Sequence, residues 1–156
     1  MIWLPLIARL VVGVTFLSMG ASKIDDPVVF LKLLREYGTL PEQPPWMLNG
    51  TAVVLPWLEV LCGALLVLGI ATRGTALVLF GMLAVFTTAI ALRALEVQSA
   101  EDIAFCAVAF DCGCGGGPQN ICRKLTENSG LMLASLVVLL GGGGRFSLRS
   151  RLFGQR

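Results

Sequence analysis

Residues 74–92 read Gly-Thr-Ala-Leu-Val-Leu-Phe-Gly-Met-Leu-Ala-Val-Phe-Thr-Thr-Ala-Ile-Ala-Leu, 19 residues without a charge, stopped by Arg73 on one side and Arg93 on the other. A helix rises ~1.5 Å per residue and the hydrocarbon core of a bilayer is ~30 Å thick, so about 20 apolar residues make one crossing. The neighbouring runs have the same character. Met1 to Ser22 is apolar except for Arg9, and Pro44 to Thr72 is apolar except for Glu59. Asn128 to Gly144 is uncharged until Arg145, and this last run reaches full length only if its helix begins near Asn120. Four spans follow, at about 2–22, 46–71, 74–95 and 121–144.

Composition agrees with this reading. Of the 156 residues, 56% are hydrophobic and only 14% are charged. A soluble domain carries roughly 25% charge, so this chain lacks the polar surface to coat a globule, and it is far too apolar for a disordered one. A formal net charge of +2 supplies no field for nucleic acid. Histidine is absent, which removes His-ligated metal and haem sites and every catalytic pair built on imidazole. Thiols, carboxylates, arginines and backbone remain.

Between the first two spans, Asp26 suits an N-cap, Pro27 the first helical position and Gly38 the residue past the end. Phe30, Leu33, Leu34 and Tyr37 repeat at helical spacing, with Lys32, Arg35 and Glu36 off that face. A short amphipathic helix over about 26–37, lying in the membrane interface, is expected. The fold class is therefore all-α: an integral membrane four-helix bundle in one domain, with an interfacial helix after the first span and a cysteine-rich loop, 104–122, before the last. The first span is expected to be retained, because its charge sits at Arg9 and not at the extreme N-terminus as in a secretory signal. Basic residues are balanced between the two sides. The density of Arg145, Arg149, Arg151 and Arg156 in the tail 145–156 puts the termini in the cytoplasm and the cysteine loop outside it.

Four of the five cysteines fall in that loop: Cys106, Cys112, Cys114 and Cys122. Cys112 and Cys114 are separated by one glycine, and a bridge across so few residues is strained and exchangeable. Gly115 to Gly117 leave open access for a partner. Asn120 can cap the last helix, which puts Cys122 in its first turn beside Arg123 and Lys124, where the helix dipole and the cations favour a thiolate. Static disulfides that staple an extramembrane cap are a second reading, with Cys106 in a second bridge. A four-thiolate metal site is a third, against which stands the absence of paired C-x2-C spacing.

Arg9 and Glu59 are the charges inside the spans, and each costs about 2.5–3.5 kcal/mol at a helix centre unless partnered. Antiparallel first and second spans place them within reach of a long arginine, so an Arg9–Glu59 structural pair is expected, beside a kink at Pro56. Cys62 reads as a small core residue.

Arg9-Leu10 with Gly13, Gly20 and Ser22-Lys23, then Asp26-Pro27, Tyr37-Gly38 and Pro56-Trp57-Leu58-Glu59, resemble the DoxX superfamily over nearly the whole chain. Asp111-Cys112-Gly113-Cys114-Gly115 with Cys122 resembles its MauE-type branch, although that branch commonly has Phe where Gly115 to Gly117 stand. The resemblance implies a redox-associated bundle in a bacterial-type inner membrane, linked to disulfide handling and to maturation of periplasmic dehydrogenases. It implies Cys112 and Cys114 as the redox pair, Cys122 as resolving thiol, a thioredoxin-like or other periplasmic redox partner, and quinone as acceptor. No residue set in the sequence specifies a quinone ring site. The alternative is a non-catalytic subunit of a larger respiratory or dehydrogenase complex.

Overall fold

A computed structural model describes residues 3–38, 44–111 and 117–141. Its helices are α1 (Trp3–Asp25), α2 (Pro27–Glu36), α3 (Pro45–Leu68), α4 (Thr72–Glu101) and α5 (Ile121–Gly141). Between α4 and α5 come a 3-10 turn (Phe105–Ala107) and two short strands, β1 (Ala109–Asp111) and β2 (Pro118–Asn120). Cys112, Cys114, residues 142–144 of the last expected span and the basic tail lie outside the described residues.

Local chemistry explains the boundaries. The Asp26 carboxylate accepts from the Val29 N–H at 3.1 Å to cap α2, and Pro27 opens the helix. Gly38 closes it with φ +59°. Of the expected apolar face, Phe30 and Leu34 are buried with Leu48 and Ala52 of α3. Gly69, at φ +77°, stops α3 three residues before the expected end, and its N–H and that of Ile70 satisfy the carbonyls of Leu66 and Leu65.

Four long helices form the bundle: α1 packs on α3 and α5, and α4 on α5 and α3. The α1–α3 seam is the tightest, for a specific reason. A Cβ added at Gly63 would stand 2.8 Å from the Gly13 carbonyl and 2.9 Å from the Leu17 nitrogen, and one at Gly20 2.8 Å from the Pro56 carbonyl. In hydrocarbon there is no hydrophobic drive between helices, so close backbone approach through small residues does the joining. Val12, Phe16, Leu66, Leu79 and Val138 fill the centre, while Val53, Trp57, Leu61, Leu77, Val85 and Leu140 face outward as a lipid-facing surface.

Among the described residues α1, α3 and α4 are long and apolar enough to cross a membrane. The fourth long helix, α5, carries Arg123, Lys124 and Glu127 in its first two turns, and packing supplies its place in the bundle. α4 runs 30 residues, six beyond the expected end at residue 95, or about 45 Å at 1.5 Å per residue. Its last turns thus extend past the hydrocarbon and support the loop: Ile90 and Ala94 form a small core with Val108 and Ile121.

Candidate functional site

The cysteine loop is built on the end of α4 and the start of α5. β1 and β2 pair antiparallel, Ala109 with Asn120, Phe110 with Gln119 and Asp111 with Pro118, so residues 112–117 connect the two strands. Beneath this ladder Cys106 and Cys122 are joined by a disulfide, with Cα atoms 5.2 Å apart and a sequence separation of 16. Asn120 locks the same place twice: its Oδ1 accepts from the Cys122 N–H at 3.1 Å, capping α5 as expected, and its Nδ2 donates to the Cys106 carbonyl. The Ile121 N–H donates to the Val108 carbonyl at 3.0 Å.

Cys122 therefore differs from its expected role as a free thiolate. It sits in the expected first turn, but its sulfur is bonded to Cys106, so in this state it has no lone nucleophilic charge. The neighbouring cations are also turned elsewhere. Arg123 pairs with Glu127 at 2.9 Å, and the buried Lys124 ammonium is 3.8 Å from the same carboxylate. Cys106, expected as a member of a second bridge, is in one. With these two sulfurs bonded to each other, a four-thiolate metal site would lack half its ligands.

Within the membrane the expected Arg9–Glu59 pair is replaced by another. Glu59 is held by Lys23, whose Nζ lies 2.5 Å from Oε1 and 2.7 Å from Oε2. Both side chains are almost wholly buried, at 6% and 2% exposure. The reason is geometric. Glu59 stands level with Gly20, where a Cβ would lie 3.0 Å from the glutamate Cβ. Arg9 is 11 residues further toward the N-terminus, about 16 Å along the axis. Helical side chains lean toward their own N-terminus, so Arg9 leans away from this level, whereas Lys23 leans back toward it and Glu59 leans to meet Lys23. Arg9 is buried in the same α1 stripe.

Lys23 was missed because it stands at the end of the apolar run and reads as a span boundary. A signal was present: Arg9, Val12, Gly13, Phe16, Gly20 and Lys23 lie on one helical stripe, all buried. The phenyl rings of Phe30 and Phe86 flank the ammonium, with centroids 5.1 and 5.3 Å away.

This pair lines a cavity of about 800 Å³ between the helices, with Phe16, Leu55, Phe86 and Ile90 in its apolar walls and Asn128 also in its lining. Asn128 is buried and donates to Thr87 Oγ1 at 3.1 Å. Tyr37 also lines the cavity and joins it to the loop. Its hydroxyl donates to the Asp111 carbonyl at 3.4 Å, and its ring meets Phe110 edge-on at 6.1 Å. Cys62 is a buried free thiol in the bundle centre, as expected of a core residue.

Helices that can cross a membrane, a loop stapled by a disulfide and a lined internal cavity define an integral membrane protein with an extramembrane disulfide site. Over residues 1–141 the chain matches the family described as methylamine utilisation protein MauE, and it belongs to that family. Neither the curated proteins nor the solved structures contain a match to it.

Proposed function

We propose that this protein is a membrane thiol–disulfide redox protein that works through Cys112 and Cys114. One observation carries the reading: the Cys106–Cys122 bridge occupies two of the loop's four cysteines, leaving the Cys-Gly-Cys pair on the segment that connects β1 to β2. A stapled base with a cysteine pair on its connecting segment suits exchange, because the base keeps its geometry while the pair changes state. A thiolate of a thioredoxin-like partner attacks one sulfur of the Cys112–Cys114 disulfide, forming a mixed disulfide and releasing the other sulfur as thiolate. The partner's second thiol resolves the mixed bond, so the partner leaves oxidised and the pair is left as two thiols. Cys122 joins the exchange only after a Cys112 or Cys114 thiolate opens its bond to Cys106.

Regenerating the pair releases two electrons and two protons, and a membrane quinone would supply the sink for them. Disulfides persist outside the cytoplasm, so this reading places the loop on the periplasmic side of an inner membrane with the termini in the cytoplasm. The family's description, methylamine utilisation, fits a part in maturing a periplasmic dehydrogenase.

The Cys106–Cys122 bridge, buttressed by Asn120, also favours a second reading: a stapled, non-catalytic subunit of a larger membrane redox complex. Differential alkylation under graded reductant separates the two. Exchange requires that Cys112 and Cys114 become alkylated under mild reductant while Cys106 and Cys122 stay bonded. It also requires that Cys112→Ser or Cys114→Ser abolish turnover of a reduced thioredoxin-like substrate. Normal turnover in both variants would refute exchange through this pair, and cysteines that resist alkylation until the protein unfolds would favour the stapled-subunit reading.

A further inference from the structure

We propose that the cavity beside Lys23 and Glu59 binds the ring of a membrane-soluble quinone, with the Lys23 ammonium donating a hydrogen bond to a quinone carbonyl. The identity of the ligand rests on the thiol-exchange reading, which requires a two-electron acceptor. The place and its chemistry rest on the cavity itself.

At about 800 Å³ the space is within the ordinary range for a small-molecule site, and its composition fits one: apolar walls with a few convergent polar groups. An ammonium has three N–H donors. Two are taken by the oxygens of Glu59, at 2.5 and 2.7 Å, which leaves the third for a ligand. Charge selects among ligands. Lys23 and Glu59 together are neutral, so the site offers a strong donor without the net positive charge that an anionic lipid headgroup would seek. A neutral carbonyl compound gains the hydrogen bond and leaves the pair intact. An acyl chain gains nothing from the pair, which is costly to keep inside a membrane. Aromatic walls from Phe16, Phe30 and Phe86 suit a flat ring.

Position makes the second argument. Tyr37 lines the cavity and, through its hydroxyl, holds Asp111, the residue immediately before Cys112. A side chain that lines the cavity thus holds the residue that precedes the Cys-Gly-Cys segment in the chain. α2 forms part of the cavity wall through Phe30 and Leu34, with Tyr37 just past its end.

The test uses the full chain in lipid nanodiscs with a photoreactive azidoquinone, mapped by peptide mass spectrometry, and decylubiquinone as competitor. Label should fall on α3 around residues 51–59 and α4 around residues 81–92, and decylubiquinone should displace it while phosphatidylglycerol does not. Ala89→Phe, which fills the cavity from α4, should abolish displaceable labelling. Lys23→Met/Glu59→Met, which removes both charges together, should weaken displacement at least tenfold. Label elsewhere, equal displacement by phosphatidylglycerol, or labelling unchanged in both variants overturns the proposal. Labelling is repeated in Cys112→Ser/Cys114→Ser, where it should persist. Intact labelling with normal turnover in the serine variants refutes thiol exchange alone, and lost labelling with cysteine-dependent turnover refutes the cavity site alone.

Discussion

Replacing Lys23 by Met should destabilise the protein by about 3–5 kcal/mol, and replacing Glu59 at the same time should restore most of that loss. The magnitude follows from burial. Glu59 is 2% exposed and both its oxygens are satisfied by Lys23, so Lys23→Met leaves a carboxylate with neither water nor the ammonium. Glu59→Met strands the ammonium in the same way, between two phenyl rings that compensate it only in part. Lys23→Met/Glu59→Met leaves apolar side chains of similar length in an apolar wall, and such replacements are often neutral. The cycle should thus show coupling of several kcal/mol, read as the unfolding free energy of the detergent-solubilised protein titrated with SDS. The parallel cycle of Arg9→Met with Glu59→Met should be additive within about 0.5 kcal/mol, because the residues stand on different levels of the α1–α3 seam. Additive Lys23–Glu59 effects, or non-additive Arg9–Glu59 effects, would refute the assignment of the ion pair.

The seam itself can be probed. Gly63→Ala drives a methyl against the Gly13 and Leu17 backbone and should cost about 1–3 kcal/mol, read as a lowered Tm. Gly81→Ala meets nothing within 4 Å and should be neutral or stabilising by up to about 1 kcal/mol. The loop staple gives another measurement. Cys106→Ser should cost about 3 kcal/mol, from the closure entropy of a loop of about 15 residues, and should change electrophoretic mobility without reductant. Asn120→Ala should cost about 1–2 kcal/mol with the bridge intact, since it removes a helix cap.

Much of the local structure was legible. Asp26 and Pro27 announced α2, Asn120 announced the start of α5, and the charge-free runs announced the bundle helices, because caps and apolar length act within one segment. The extension of α4 to Glu101 was hidden by its polar end, which reads as loop until Ile90 and Ala94 are seen to support Val108 and Ile121. The cysteine loop was recognisable as the site, but four cysteines allow three pairings and spacing does not choose among them.

By itself, then, the sequence determined an all-α membrane protein, the order of its helices, the amphipathic face of α2 and the segment that carries the thiols. These follow from apolar length, period and capping, which are properties of one stretch of chain. Tertiary structure decided the Cys106–Cys122 bridge, the choice of Lys23 over Arg9 for Glu59, and the cavity that Tyr37 links to the loop. Each depends on how one helix is set in depth and rotation against another. Small residues such as Gly13, Gly20 and Gly63 set that depth by letting the α1 and α3 backbones touch, and the lean of each side chain then picks the partner.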